Sequence, residues 1–253
     1  MRVAAAFFAA LAAACNTDSS APHLARGNVL VNHGKREEAA QEYRDAARLA
    51  PKSALARERL GDTLYDLGRK EQALAAYREA AAVDPDSITA RIGAARVLGD
   101  QGDYGAARTE LTRGLEKAPS NLFLLLSRGN YAARSGDREA AIEDYTRAVN
   151  LKSDNVPALY QLGTALLDKG DLPAAGRTFD RLIAVAPSAP EGHFGRARWL
   201  TARGEDASAA LAQAKKLVES DARARLSEQG LRGEALEQGV REAADRLEAT
   251  AAR

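Results

Sequence analysis

Cysteine is almost missing from this chain: among 253 residues only Cys15 carries a thiol. One thiol closes no internal disulfide and builds no cysteine-rich metal site. Aromatic residues are scarce, at 5%, with a single tryptophan. A β-rich core would draw more heavily on Val, Ile, Tyr and Phe. Neither sign of charge is in excess, with 36 basic residues against 35 acidic ones. That balance argues against nucleic acid as a partner, since a free-standing nucleic-acid binder usually shows a basic surplus, and no block of like charge marks an interaction tail. The histidines, His23, His33 and His193, are far apart and form no His-x-x-x-His or Glu-x-x-His pair, so they point to no metal site. Glycine-rich phosphate loops are missing too. No cofactor or small-molecule substrate is expected, and the chain reads as something other than an enzyme. The apolar run from Val3 to Ala14 would be roughly 18 Å long as a helix, short of a ~30 Å hydrocarbon core.

What the chain does have is alanine, and an apolar fraction of 45% that supports a sizeable core of closely packed helices. Its opening has the layout of a secretory signal: Arg2, the apolar run, then small residues leading to Cys15. The stretch Leu11, Ala12, Ala13, Ala14, Cys15 resembles a bacterial lipoprotein signal, although Leu11 sits one place further from the cysteine than that family prefers. The resemblance implies that residues 1–14 are removed and that Cys15 is lipidated. Residues 15–19 would then be a short polar tether. By analogy with enteric bacteria, Asn16 after the cysteine favours an outer-membrane lipoprotein facing the periplasm. The alternative is ordinary cleavage and a soluble periplasmic or secreted chain.

From about residue 20 a period of thirty-four residues runs without insertion or deletion. One small or left-handed place holds Gly34, Gly68, Gly102, Gly136, Gly170 and Gly204, and another holds Ala39, Ala73, Ala107, Ala141 and Ala175. A larger side chain recurs as Tyr43, Tyr77, Leu111, Tyr145 and Phe179, and proline recurs as Pro51, Pro85, Pro119 and Pro187, with Ser153 replacing it once. Glycine ends a helix in the left-handed conformation, proline cannot continue one, and small residues let two helices approach closely. The units are 20–53, 54–87, 88–121, 122–155, 156–189 and a worn 190–223. Residues 224–253 read as a polar-faced cap with a fraying end and a bend near Gly230 and Gly233.

This pattern resembles the tetratricopeptide repeat over about four-fifths of the chain. The resemblance implies an all-α fold, a right-handed α-solenoid of six helix-turn-helix repeats plus a C-terminal capping helix. It also implies a concave wall built from the first helix of each repeat. Carried across place by place, that wall is acidic early, with Glu58, Asp62 and Asp66, followed by Ile92 and Arg96. Later it is apolar with arginines: Phe123, Leu126, Asn130 and Arg134, then Tyr160, Thr164 and Leu167, then Phe194 and Arg198. The second half is the expected docking site for a partner protein or peptide, with apolar anchors in pockets and arginines meeting carboxylates. A C-terminal cap folded back into the groove is the alternative occupant. The carboxylate clamp that some family members use on chaperone tails is absent: only Asn28 fits it, while Leu24, Arg59, Thr89 and Gly93 do not.

The expectation is therefore a non-enzymatic scaffold anchored in the cell envelope, holding a partner segment so that an envelope complex assembles or persists. Lipoproteins of about this length with six repeats act as pilotins for type IV pilus secretins, which is one specific form of it. An adaptor in polysaccharide or peptidoglycan export, or an accessory subunit of an envelope hydrolase, are the others.

Overall fold

The computed structural model describes residues 19–251, and side chains as far as residue 246. Cys15 and the signal segment lie outside the described residues. Thirteen α-helices and no strands occur among those described. They form two compact units, one ending at Pro119 and one beginning at Ser120.

The first unit holds α1 (Ala21–Asn32), α2 (Arg36–Leu49), α3 (Leu55–Asp66), α4 (Lys70–Val83), α5 (Ile88–Asp100) and α6 (Tyr104–Lys117). Each helix packs on the next, and α3 also touches α5. The second unit holds α7 (Leu122–Arg134), α8 (Arg138–Leu151), α9 (Val156–Lys169), α10 (Leu172–Val185), α11 (Pro190–Ala202), α12 (Ser208–Glu228) and α13 (Gly233–Ala251). Here too neighbours pack in order, and α9 touches α11. Contacts between alternate first helices are what leave a wall on one side.

Local chemistry explains the hairpins. At Gly68 and its five periodic equivalents φ is positive, between 72° and 87°, the conformation that lets the chain reverse in two residues. From Ser87 onward most helices start on a side-chain cap: Ser87, Asp103, Asn121, Asp137, Asn155 and Asp171 each accept a backbone N–H three residues on. Each such cap is worth about 1 kcal/mol.

The core follows the repeat. Gly27, Gly61, Gly129 and Gly163 each face the aromatic ring of their own hairpin's second helix: a Cβ there would sit 2.5–2.7 Å from Tyr43, Tyr77, Tyr145 or Phe179. Where the ring is missing, glycine is missing too. The third repeat pairs Ala95 with Leu111 at these places, both buried. Size is conserved in sum, as close packing requires.

Two buried ion pairs reinforce the hairpins. Arg128 donates to Asp144 at 2.8 and 2.6 Å, and Asp144 is only 2% exposed. Arg91 donates to Glu110 at 2.8 Å, with Arg113 on the other oxygen at 2.9 Å.

The sixth repeat departs from the expected boundary at residue 223, which falls inside α12. Asp221 stands where earlier repeats have proline, so nothing stops the helix until Glu228. The chain then turns through Gly230 and Gly233, both at positive φ. Helix α13 returns along α12, burying Val240 and Ala244.

Candidate partner-binding groove

The ninth residue of each repeat points inward from the first helix, and the large residue of the second helix lies beneath it. In three repeats the pair is joined by a phenol. Tyr43 donates to Asn28 at 2.8 Å, Tyr77 to Asp62 at 2.6 Å, and Tyr145 to Asn130 at 2.7 Å. Burial raises the ionisation of the Tyr77 phenol well above its ordinary value, and the bond to Asp62 adds to it. Burial does the same for Tyr145, with the charge of Asp144 contributing.

In the first unit the wall engages many of its own side chains, around a cavity of about 270 Å³ lined by Asn28, Tyr43, Arg59, Asp62 and Asp66. Arg96 donates to the Tyr77 hydroxyl at 3.0 Å and reaches Asp62 at 3.4 Å. Its guanidinium lies 4.0 Å from the centre of the Tyr65 ring, and Tyr65 donates to Asp100 at 2.5 Å. Glu58 accepts from Ser87 at 2.5 Å. The early acidic residues are thus engaged within the chain. Ile92 is half-buried beside them on α5.

The other nine expected wall residues all belong to the second unit. Phe123 is open to solvent, 58% exposed on α7. Asn130 and Arg134 are exposed, while Leu126, Tyr160, Thr164 and Leu167 are half-buried. Two expectations need correction. Phe194 is not an exposed anchor: it is 5% exposed and forms a cavity floor with Leu167 and Leu211. Arg198 is not waiting for a partner's carboxylate, because it already reaches Asp168 at 3.5 Å and Thr164 at 3.4 Å.

Two cavities open on this wall. One, of about 420 Å³, is lined by Ser127, Asn130, Tyr131, Arg134, Tyr145 and Gln161. Its lining holds amides, hydroxyls and a guanidinium, and no carboxylate. The other, of about 370 Å³, has Leu167, Phe194, Ala197 and Leu211 as its apolar lining and Asp168, Arg198 and Thr201 among its polar residues. Sequence reasoning missed Gln161, Leu211 and the buried pairs Arg128–Asp144 and Arg91–Glu110. The recurrence of Arg and Glu or Asp sixteen apart, as in Arg26–Glu42 and Arg128–Asp144, was a signal in plain view.

Hairpins packed in chain order, with aromatic rings caged by glycines, define a class of helical-repeat protein. The particular family is shown by sequence: the chain belongs to the tetratricopeptide-repeat family, whose profiles match residues 24–88, 71–128 and 132–198, together more than half of it. No curated protein matches the chain in sequence. Among solved structures, a tetratricopeptide repeat protein from Parabacteroides merdae superposes with a TM-score of 0.67 at 18% identity, over 89% of this chain and 98% of that one. PilW, described as a widely conserved type IV pilus biogenesis factor, gives 0.62 at 18% identity, over 87% and 97%. YrrB, described as having an unusual peptide-binding site, gives 0.59 at 22% identity, over 76% and 100%. At these identities the likeness shows the fold. Proteins of this fold are generally protein-interaction modules rather than catalysts.

Proposed function

We propose that this chain is a non-catalytic adaptor of the cell envelope that holds a partner protein's segment on the inner wall of its second unit. The observation that carries this reading is that the second unit's wall presents an exposed aromatic side chain and cavities of about 420 and 370 Å³, against one of about 270 Å³ on the first. In the first unit Arg96 already occupies Asp62, Tyr77 and Tyr65. In the second, Phe123 stands open and two cavities remain. Exposed aromatic side chains are enriched among the residues that carry binding energy at protein interfaces. Delivery across a membrane and tethering through Cys15 rest on the lipoprotein-like opening of the sequence, and no described helix is long and apolar enough to cross a membrane.

The test is site-specific photocrosslinking in intact cells. A photoreactive residue in place of Phe123 or Leu126 should yield a discrete adduct with one envelope protein. The same probe at Glu143, exposed on α8, should not. Identical adduct patterns from the two faces would reject the groove. The likeness to PilW, over 87% of this chain, supports one specific form, assembly of a type IV pilus component, and the identity of the adduct decides it.

A further inference from the structure

Resting on that reading, we infer that the cavity between α9, α11 and α12 is a socket for an aromatic side chain of the partner segment, stacked on Arg198. The repeat itself supplies the precedent. Arg96 and Arg198 stand three periods of thirty-four residues apart, and so do Tyr65 and Leu167, Tyr77 and Phe179, and Asp62 and Thr164. The hairpins stack alike at both places, since Arg96 reaches Asp62 at 3.4 Å and Arg198 reaches Thr164 at 3.4 Å. Around Arg96 the chain fills the site. The Tyr65 ring centre lies 4.0 Å from the guanidinium, and the Tyr77 hydroxyl accepts from it at 3.0 Å. Around Arg198 the same places carry less: Thr164 replaces the carboxylate, Phe179 brings no hydroxyl, and Leu167 replaces the stacked ring.

Where that ring is missing, a cavity of about 370 Å³ is lined by Leu167, Phe194, Ala197, Arg198 and Leu211. Phe194 and Ala197 are each 5% exposed, so an entering ring meets an apolar floor. Arg198 bonds to Thr164 and Asp168 through the edge of its planar guanidinium, which leaves the face to a ring. A guanidinium over an aromatic face is attracted by the ring's quadrupole, and Asp168 balances the charge. The chain's own C-terminal cap cannot supply the group, because no aromatic residue follows Trp199.

The experiment titrates the purified protein with fluorescein-labelled dodecapeptides of glycine, serine and proline, read by anisotropy. Their central residue is phenylalanine, cyclohexylalanine or alanine. Phenylalanine should bind at least about tenfold more tightly than alanine, a difference of ~1.4 kcal/mol. It should exceed cyclohexylalanine, which has the bulk without the π face, by about threefold. Leu167→Tyr rebuilds the arrangement that Tyr65 and Arg96 already adopt, and should make the three peptides bind alike. Arg198→Lys keeps the charge beside Asp168 but loses the planar face. It should remove the advantage over cyclohexylalanine and keep that over alanine.

Phenylalanine binding no better than cyclohexylalanine, a preference that survives Leu167→Tyr, or no binding at all would each overturn the stacked socket. Dimerisation abolished by both Leu167→Tyr and Phe123→Ala would assign the socket to a second copy instead and overturn the partner. The groove itself is judged by the adduct at Phe123. An adduct together with failed peptide discrimination rejects the socket alone, whereas neither adduct nor discrimination rejects both.

Discussion

The ring of Tyr77 occupies the volume that a side chain on Gly93 would need: a Cβ placed there would lie 2.3 Å from the ring. Gly61 meets the other side of the same ring, at 2.7 Å. Each glycine costs its helix about 1 kcal/mol relative to alanine. The repeat tolerates that cost because the tyrosine, fully buried, links two successive hairpins.

This relationship makes a prediction about coupling. Gly61→Ala would gain helix propensity but overpack the ring, a penalty of about 1–3 kcal/mol, for a net loss of up to about 2 kcal/mol. In a Tyr77→Leu background the same change should cost little, because it recreates the Ala95 and Leu111 pairing of the third repeat. Urea denaturation of the four-member double-mutant cycle measures the interaction. Additive effects would mean that glycine is there for some other reason.

The buried phenols make stability fall in alkali. Tyr77 and Tyr145 ionise above their ordinary value of 10 in the folded chain. Between that value and the higher folded one, the unfolded state loses a proton that the folded state keeps. Their contribution is therefore complete below about pH 10 and declines above it, by no more than ~1.4 kcal/mol per pH unit for each phenol. Urea midpoints from pH 9 to 11.5 should drop less steeply in Tyr145→Phe than in the parent chain. Parallel curves would contradict the assignment.

Arg128 and Asp144 should behave as an obligatory pair. Their side chains are 19% and 3% exposed, so removing one leaves a charge with no solvent to repair it. Asp144→Ala or Arg128→Met should each cost about 3–5 kcal/mol. Replacing both with leucine should recover most of the loss. Trp199, the only tryptophan, reports this transition from within the same unit, where its indole donates to the Leu172 carbonyl at 2.7 Å. If the double variant is as unstable as the worse single one, the pair contributes specific packing that leucine cannot replace.

Much of the hairpin architecture was legible because each of its rules acts within one period. A glycine at Gly68, a caged Tyr77 and a proline at Pro85 each declare themselves through local geometry or size. What the sequence hid are relationships that reach across a full period. Arg96 and Asp62 are thirty-four residues apart, as are Arg198 and Thr164, and whether they touch depends on how hairpins stack. Arg198 looks the same in sequence whether it meets a partner or its own preceding repeat. The surroundings of Phe194 were hidden for a similar reason: the cavity it lines is shared with Leu211 from the next helix, a residue that the place-by-place pattern does not include. The end of α12 was obscured by a missing signal, since the helix has Asp221 where proline would have stopped it.

The proposed tether makes the last prediction. Each buried methylene of an acyl chain contributes about 0.8 kcal/mol, so one chain holds a protein marginally and two or more hold it firmly. None of the described helices is long and apolar enough to cross a bilayer. Expressed in a Gram-negative host, the chain should therefore sediment with membranes and resist extraction by salt and by carbonate. Cys15→Ser should move it to the soluble fraction while leaving its helical content and urea midpoint unchanged, since Cys15 precedes the first repeat in the sequence. Labelling with a palmitate analogue should follow the same pattern. A Cys15→Ser chain that stays on the membrane through a carbonate wash would remove the lipid from the account, whereas a parent chain that is soluble from the start would leave ordinary signal cleavage as the explanation of the N-terminus.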